Sequence, residues 1–496
     1  MSATGEPLRQ ARDRERGLLL SDRLNPLFVR DLQQSFAGRG FVAALFLALL
    51  AMMVVASIAL DFEGEARGPR ALGIVLFALG LMVDVVVPLQ AFQATRQEMH
   101  GGTSDQLLLS SLTPAAIVRG KLLAAALKIL LWTSLFSPLV ALTWLLRGLS
   151  VAQVGIALVV AIASGLVVSA VGVVLGTLTV FRRVATLVNV GAALMLTGGG
   201  FGMALGLSGM TFAWTRFGGG LGDLLAVLFA LLVSTVVLMA LCILVAQSQF
   251  THPHENRSTG FRLFLPVATL LIWGLGIALA DKGDWDEALL GSTLFLLAVG
   301  SIFFLFAATE ERRLSPRVRM QVPQSPGAAM WVSLLLPGGG RGLLWCMAMV
   351  ILLALGPELL AAVLKVKLDA GLTSAVEITA VYAVLYAALG TFVRQRLPAG
   401  PSGSWWARLI VIGVVVLGSV ASSLMLAMAP GFPQWNPLQI VNPVWTIVAY
   451  ADGKADSAMM CIVVPLAFLL LGCAGTLAEG VSEVTQASTE RRPHAA

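Results

Sequence analysis

The sequence predicts an all-α fold, a polytopic bundle of about twelve transmembrane helices, and three observations predict it. Hydrophobic residues make up 57% of the 496-residue chain and charged residues only 12%, where a soluble domain carries roughly 25% charged residues. The apolar residues are gathered into long runs, not into the short alternating segments of a membrane β-barrel. Lys and Arg, finally, are distributed unevenly between the connections. If residue 1 is cytoplasmic, about three-quarters of the 33 basic residues fall on the cytoplasmic side, as topogenic charge does.

The runs lie near 41–60, 71–93, 121–146, 151–180, 184–212 and 222–248, then near 262–280, 288–308, 342–364, 373–393, 407–429 and 458–478. Each is expected to be a helix, because backbone groups in hydrocarbon must be satisfied within their own segment. An even number of crossings places both termini in the cytoplasm. The organisation that follows is an N-terminal segment 1–40, a six-span domain 41–250, two further spans with a charged linker 251–341, four spans 342–480 and a tail 481–496. The linker, with Glu310, Glu311, Arg312, Arg313 and Pro316, is the expected boundary between groups of spans. No sequence repeat relates the halves.

The net charge of +6 suggests a nucleic-acid partner, but the basic residues sit beside span ends and orient the chain, so none is expected. Cys242, Cys346, Cys461 and Cys473 lie in apolar runs without metal or redox spacing, and are expected to pack as small apolar residues. The first forty residues are polar and Arg-rich and the first apolar run is long enough to stay in the bilayer, so no cleaved leader is expected. His252-Pro253-His254 has no further ligand cluster near it in sequence, and no metal is expected.

Before the first span, Asn25 can cap a helix whose first position is Pro26. Leu24, Phe28, Leu32 and Phe36 recur every four residues on one face, with Arg30, Asp31, Gln33 and Gln34 elsewhere. Such a helix lies in the membrane interface, either as a simple anchor or as a working part.

Between spans two and three, Thr103 and Gln106 make a capping-box pattern, so a short helix should start after Gly102. Thr113-Pro114 should then start the helix that becomes span three. Leu107, Leu108, Leu109 and Leu112 are more apolar than a solvated connection should expose. Their partner is another loop of the chain, lipid headgroups or a second protein.

Glu98, Gly102-Thr103, Leu107-Leu108-Leu109, Thr113-Pro114 and Ile117-Val118-Arg119-Gly120-Lys121 resemble the "E…GT…LLL…TP…I…GK" stretch of ABC-2 type ABC-transporter permeases. Asn25-Pro26 with Arg30-Asp31-Leu32 similarly resembles their "NP…RE" helix before span one. Asp31 stands where Glu is commoner, and Gly101-Gly102 with Ser104-Asp105 departs from the usual "R-G-T-L-E". The resemblance covers about 94–121 closely and 25–60 loosely, and spans seven to twelve are outside it.

The resemblance implies a non-enzymatic membrane subunit of an exporter in a bacterial inner (cytoplasmic) membrane. Its partner would be an ABC ATP-binding subunit that carries ATP-Mg and docks on a coupling helix within 98–118. A second copy or a related permease would complete a dimer. No cofactor is expected on this chain: the P-loop pattern G-x-x-x-x-G-K-[ST] fails at Gly120-Lys121, followed by Leu122, and at Gly453-Lys454, followed by Ala455. A secondary active transporter and a non-transporting scaffold of an assembly or motility complex remain as alternatives.

Ionisable residues inside spans are costly and therefore informative. Asp84 and Lys128 are placed at similar depth on consecutive spans, which suggests an intramembrane pair; the alternative is that Lys128 snorkels and Asp84 bonds a hydroxyl. Gly198, Gly202 and Gly206 on span five, and Gly172 and Gly176 on span four, have the spacing of close helix packing. Trp435 and Trp445, near Asn436-Pro437 and Asn442-Pro443, suggest an outer interfacial loop.

Overall fold

The structure, a computed structural model, describes residues 26–61, 67–100, 113–146, 148–177, 182–216, 221–251, 255–280, 283–311, 313–398, 401–428, 435, 437–455 and 457–490. Every regular element among the described residues is helical. Among the described residues twelve helices are long and apolar enough to cross a membrane, and they coincide with the twelve runs read from the sequence. The protein is a multi-pass helical membrane protein.

Two compact units divide the chain, Met1–His252 and Pro253–Ala496. The charged segment 309–341, expected to be the boundary, therefore lies inside the second unit. In the first unit α1 (Pro26–Ala37) and α2 (Arg39–Asp61) lead to span two. That span is α3 (Arg67–Gly80), a π-helical turn (Leu81–Val86) and α4 (Val87–His100) in succession. Spans three to six are α5 (Pro114–Leu145), α6 (Val151–Gly176), α7 (Arg182–Arg216) and α8 (Leu221–Phe250).

The second unit contains α9 (Thr259–Leu279), α10 (Trp285–Ala308), short helices α11 (Pro316–Arg319) and α12 (Pro326–Leu335), then α13 (Gly339–Leu364), α14 (Ala370–Arg396) and α15 (Pro401–Met428). A 3-10 turn (Pro437–Val441), α16 (Pro443–Ala451) and α17 (Ala458–Glu490) complete it. The two units share part of their helix packing although no sequence repeat relates them, and they differ at the fifth span, which lies on the second span in the first unit and on the fourth in the second. In each, the second span packs on the first, third and fourth, and the sixth lies against the third and fourth.

Local chemistry sets the helix starts. Ser150 Oγ accepts from Gln153 N while the Gln153 side chain accepts from Ser150 N, a complete capping box for α6. Asp369 caps α14 through Leu372 N at 2.8 Å, and Asn442 caps α16 through Trp445 N at 3.2 Å. Trp435 and Trp445 donate their indole N–H groups to Thr446 and Gln439, so both rings are fastened within their own unit. Asn436 lies outside the described residues.

Span three shows why these helices bury only one face. Its outer stripe, Leu123, Leu127 and Leu130, is exposed, while Ile129, Trp132 and Phe136 are buried against Leu72, Leu76, Leu79 and Ala157. Large exposed apolar side chains at i, i+4 and i+7 are what a lipid-facing surface requires. Close helix approach is supplied by glycine, though not where the spacing suggested for span five. A Cβ at Gly198, Gly202 or Gly206 would meet open space, whereas one at Gly200 would collide with the Asp84 carbonyl. Gly172 and Gly176 do pack closely, against Pro88 and against Phe92 and Thr95 of span two.

Candidate functional site

The two segments with the most specific residues, 25–36 and 94–121, meet in the first unit. Helix α1 lies against α5 and presents Leu27 and Asp31, both buried. Phe28, Leu32 and Phe36, the apolar face expected to lie toward the membrane interface, are half-buried. The face that meets the protein thus carries an acid. Phe36 nevertheless reaches Phe41, and Phe41 reaches Trp132, with ring centroids 5.0 and 6.0 Å apart.

Around Asp31 four charged side chains from three helices converge. Lys121 Nζ of α5 lies 2.6 Å from Glu98 Oε2 of α4 and 3.5 Å from Asp31 Oδ2. Arg30 Nη2 donates to Asp31 Oδ1 at 3.2 Å and also hydrogen-bonds Glu98 Oε1. The Lys121 side chain is 2% exposed, and those of Asp31 and Glu98 are 8% exposed. Two cations and two carboxylates leave the cluster neutral, and mutual pairing offsets the desolvation that would otherwise exclude such groups. Arg30 is at the edge of the cluster. Burial opposes its charge, but Glu98 and then Asp31 outweigh that and hold its pKa above the usual arginine value.

The cluster is positioned from both sides. Thr113 Oγ1 accepts from Ala116 N at 3.2 Å and Pro114 takes the first helical position, the start expected from the sequence. Lys121 follows two turns later. Glu98 is in the last turn of α4, whose preceding turns pack on α6. Pro26 opens α1, as expected. Asn25, Gly102, Thr103, Leu107, Leu108, Leu109 and Leu112 lie outside the described residues.

The Asp84–Lys128 pair is not formed. Both residues are buried, but neither carboxylate oxygen of Asp84 has a hydrogen-bond partner among the described residues. Ser164, on α6 near Asp84, donates its hydroxyl to the Ala161 carbonyl instead. Lys128 makes no ion pair among the described residues either, and the charges that act on it are Asp31 and Lys121. The reason lies in the helices. Asp84 falls in the π-helical turn, against Gly200 of span five. Lys128 continues the Lys121 face of α5 at i+7, toward α1.

In the sequence Lys121 reads as a topogenic charge that closes a motif at the edge of an apolar run, which conceals its burial. The detectable signal was its i, i+7 relation to Lys128, with only alanines, Ala124 and Ala125, between them on that face.

The second unit has its own buried charges. Arg262, fully buried, pairs with Glu310 at 2.7 Å and donates to the Leu334 and Leu336 carbonyls. Arg341 pairs with Glu483 at 3.2 Å, and Arg319 with the same carboxylate at 3.0 Å. Glu310 also accepts from Gly338 N and Glu483 from Leu314 N. Each carboxylate thus ties a backbone amide of the 309–338 connection to a helix of the bundle, a fastening role.

No protein-family model matches the chain, and no curated protein or solved structure is similar to it. The site therefore rests on its own chemistry. It is an electrically balanced joint that couples α1 to the facing ends of spans two and three.

Proposed function

We propose that the chain is the membrane subunit of an ABC-2 type ATP-driven exporter, served by a separate ATP-binding subunit that carries ATP-Mg. One observation carries this reading. Arg30-Asp31 and Glu98 with Lys121, which belong to the two segments resembling that family, form a single buried cluster. Force applied to the segment between Glu98 and Lys121 would reach α1, span two and span three together, because all three hold the same charges.

In this reading both termini and residues 98–118 face the cytoplasm, α1 lies in the membrane interface, and the membrane is a bacterial inner membrane. The ATPase docks on the apolar run Leu107, Leu108, Leu109 and Leu112. Export is the direction the resemblance implies. Such a machine needs two membrane halves. They come from a second copy of this chain or from a related permease.

Affinity purification of the tagged full chain from its own membranes tests the reading. An ABC ATPase should be retained, and Leu108→Asp should abolish that retention without lowering the amount of the chain in the membrane. If no ATPase is retained by either form, the reading fails. The mass of the solubilised complex distinguishes one permease chain per pair of ATPases from two.

A further inference from the structure

Beside the ion cluster the first unit forms a half-open cavity of about 370 Å³ between α1, α4 and α5. Small side chains create it. Ala91 and Ala94 on α4 face Ala124 and Ala125 on α5, where larger residues would close the gap. Its polar lining is ordered. Gln90, Gln93 and Gln97 recur at i, i+3 and i+7 on α4 and form one stripe. Lys121 and Lys128 stand one above the other on α5, and Gln34 contributes from α1. Gln34, Gln93 and Gln97 are exposed and mark the opening, while Lys128 is 6% exposed.

The charges do not balance there. Lys121 is taken up by Glu98 and Asp31, and Asp31, which closes one wall, is balanced by Arg30 and Lys121. Lys128 is the surplus, a buried ammonium without an ion pair among the described residues. A buried charge is tolerated when a partner or a ligand neutralises it. The volume is within the roughly 300–1,000 Å³ range of small-ligand sites.

We propose that this cavity binds a phosphate group, with its anionic oxygens on the Lys128 ammonium and hydrogen-bonded by the amides of Gln90, Gln93 and Gln97. Ammonium is a compact point charge suited to phosphate oxygens, and primary amides donate two N–H groups each. In a membrane protein, phospholipid headgroups are the most abundant source of such phosphate, and the cavity is walled by the amphipathic helix α1. A soluble phosphate has the same chemistry. The inference does not depend on the exporter reading.

Native mass spectrometry of the purified full chain, titrated with phosphatidylglycerol, diacylglycerol or inorganic phosphate, tests it. Phosphatidylglycerol should be retained and diacylglycerol not. Lys128→Met should weaken retention about tenfold or more, while Lys128→Arg should stay within about threefold of the parent. Gln93→Leu, an exposed position whose replacement spares the fold, should weaken retention several-fold and keeps the test available if Lys128→Met fails to fold. Retention of inorganic phosphate with the same Lys128 dependence, but not of phosphatidylglycerol, assigns the site to soluble phosphate. Equal retention of phosphatidylglycerol and diacylglycerol, or phosphate binding unchanged in both Gln93→Leu and the folded Lys128 variant, overturns the proposal.

Discussion

Lys121 Nζ lies 2.6 Å from Glu98 Oε2, and this contact joins the end of span two to the beginning of span three. The same ammonium also faces Asp31 of α1. Removing it leaves two buried carboxylates that, among the described residues, pair with Arg30. Lys121→Met is therefore expected to cost about 3–5 kcal/mol, the range for breaking a buried pair from one side. Unfolding of the detergent-purified protein measures it. Combining it with Glu98→Gln should cost clearly less than the sum of the two single changes.

Asp84 and Lys128 should behave oppositely in a double-mutant cycle. With no contact between them, Asp84→Asn and Lys128→Met are expected to be additive within about 0.5 kcal/mol. An interaction energy above about 1 kcal/mol would contradict the arrangement described here. Asp84→Asn alone, which removes a buried charge lacking a partner among the described residues, is expected not to lower the melting temperature.

Glycines of span five separate by position, not by spacing. Gly200→Ala drives a methyl group into the backbone of span two at Asp84 and should cost about 1–3 kcal/mol. Gly202→Ala meets open space and should be neutral or slightly stabilising, because alanine is the better helix former. Thermal unfolding of the two variants side by side decides it.

In the second unit burial decides what an ion pair contributes. Arg262→Ala strips Glu310 and two backbone carbonyls of a fully buried donor and should cost about 3–5 kcal/mol. Arg317 and Glu255 also pair, at 3.6 Å, but with side chains 66% and 47% exposed. Arg317→Ala should change stability by about 0–1 kcal/mol.

Span positions were legible because lipid enforces a simple rule, long apolar runs as helices, and a run such as 151–180 admits no other reading. The Thr113-Pro114 start was legible because a cap is local chemistry. The buried face of α1 was not. Periodicity groups apolar residues together, yet Leu27 and Asp31 are the ones that meet the protein, since Arg30 and Lys121 supply partners that only the tertiary fold assembles. The Asp84–Lys128 expectation failed for a related reason. Counting depth along two ideal helices ignores the azimuth, and span two is not an ideal helix. The polar stripe Gln90, Gln93 and Gln97 was present in the sequence, but its meaning depended on alanines of another span.

The π-helical turn at Leu81–Val86 has a consequence for how this protein tolerates change. Val87 N donates to the Met82 carbonyl five residues back, so the turn accommodates one residue more than an α-helical turn does. Each residue advances an α-helix by about 100°, so the turn works as a rotary spacer that sets the azimuth of all that follows. Deleting one residue between 81 and 86 would restore a regular helix and leave Gln90, Gln93, Gln97 and Glu98 facing as they do, whereas inserting a further residue there would swing all four by about that angle. A single insertion in this short stretch should thus disable the joint and the cavity at once, even though neither lies within it, while a single deletion should spare both.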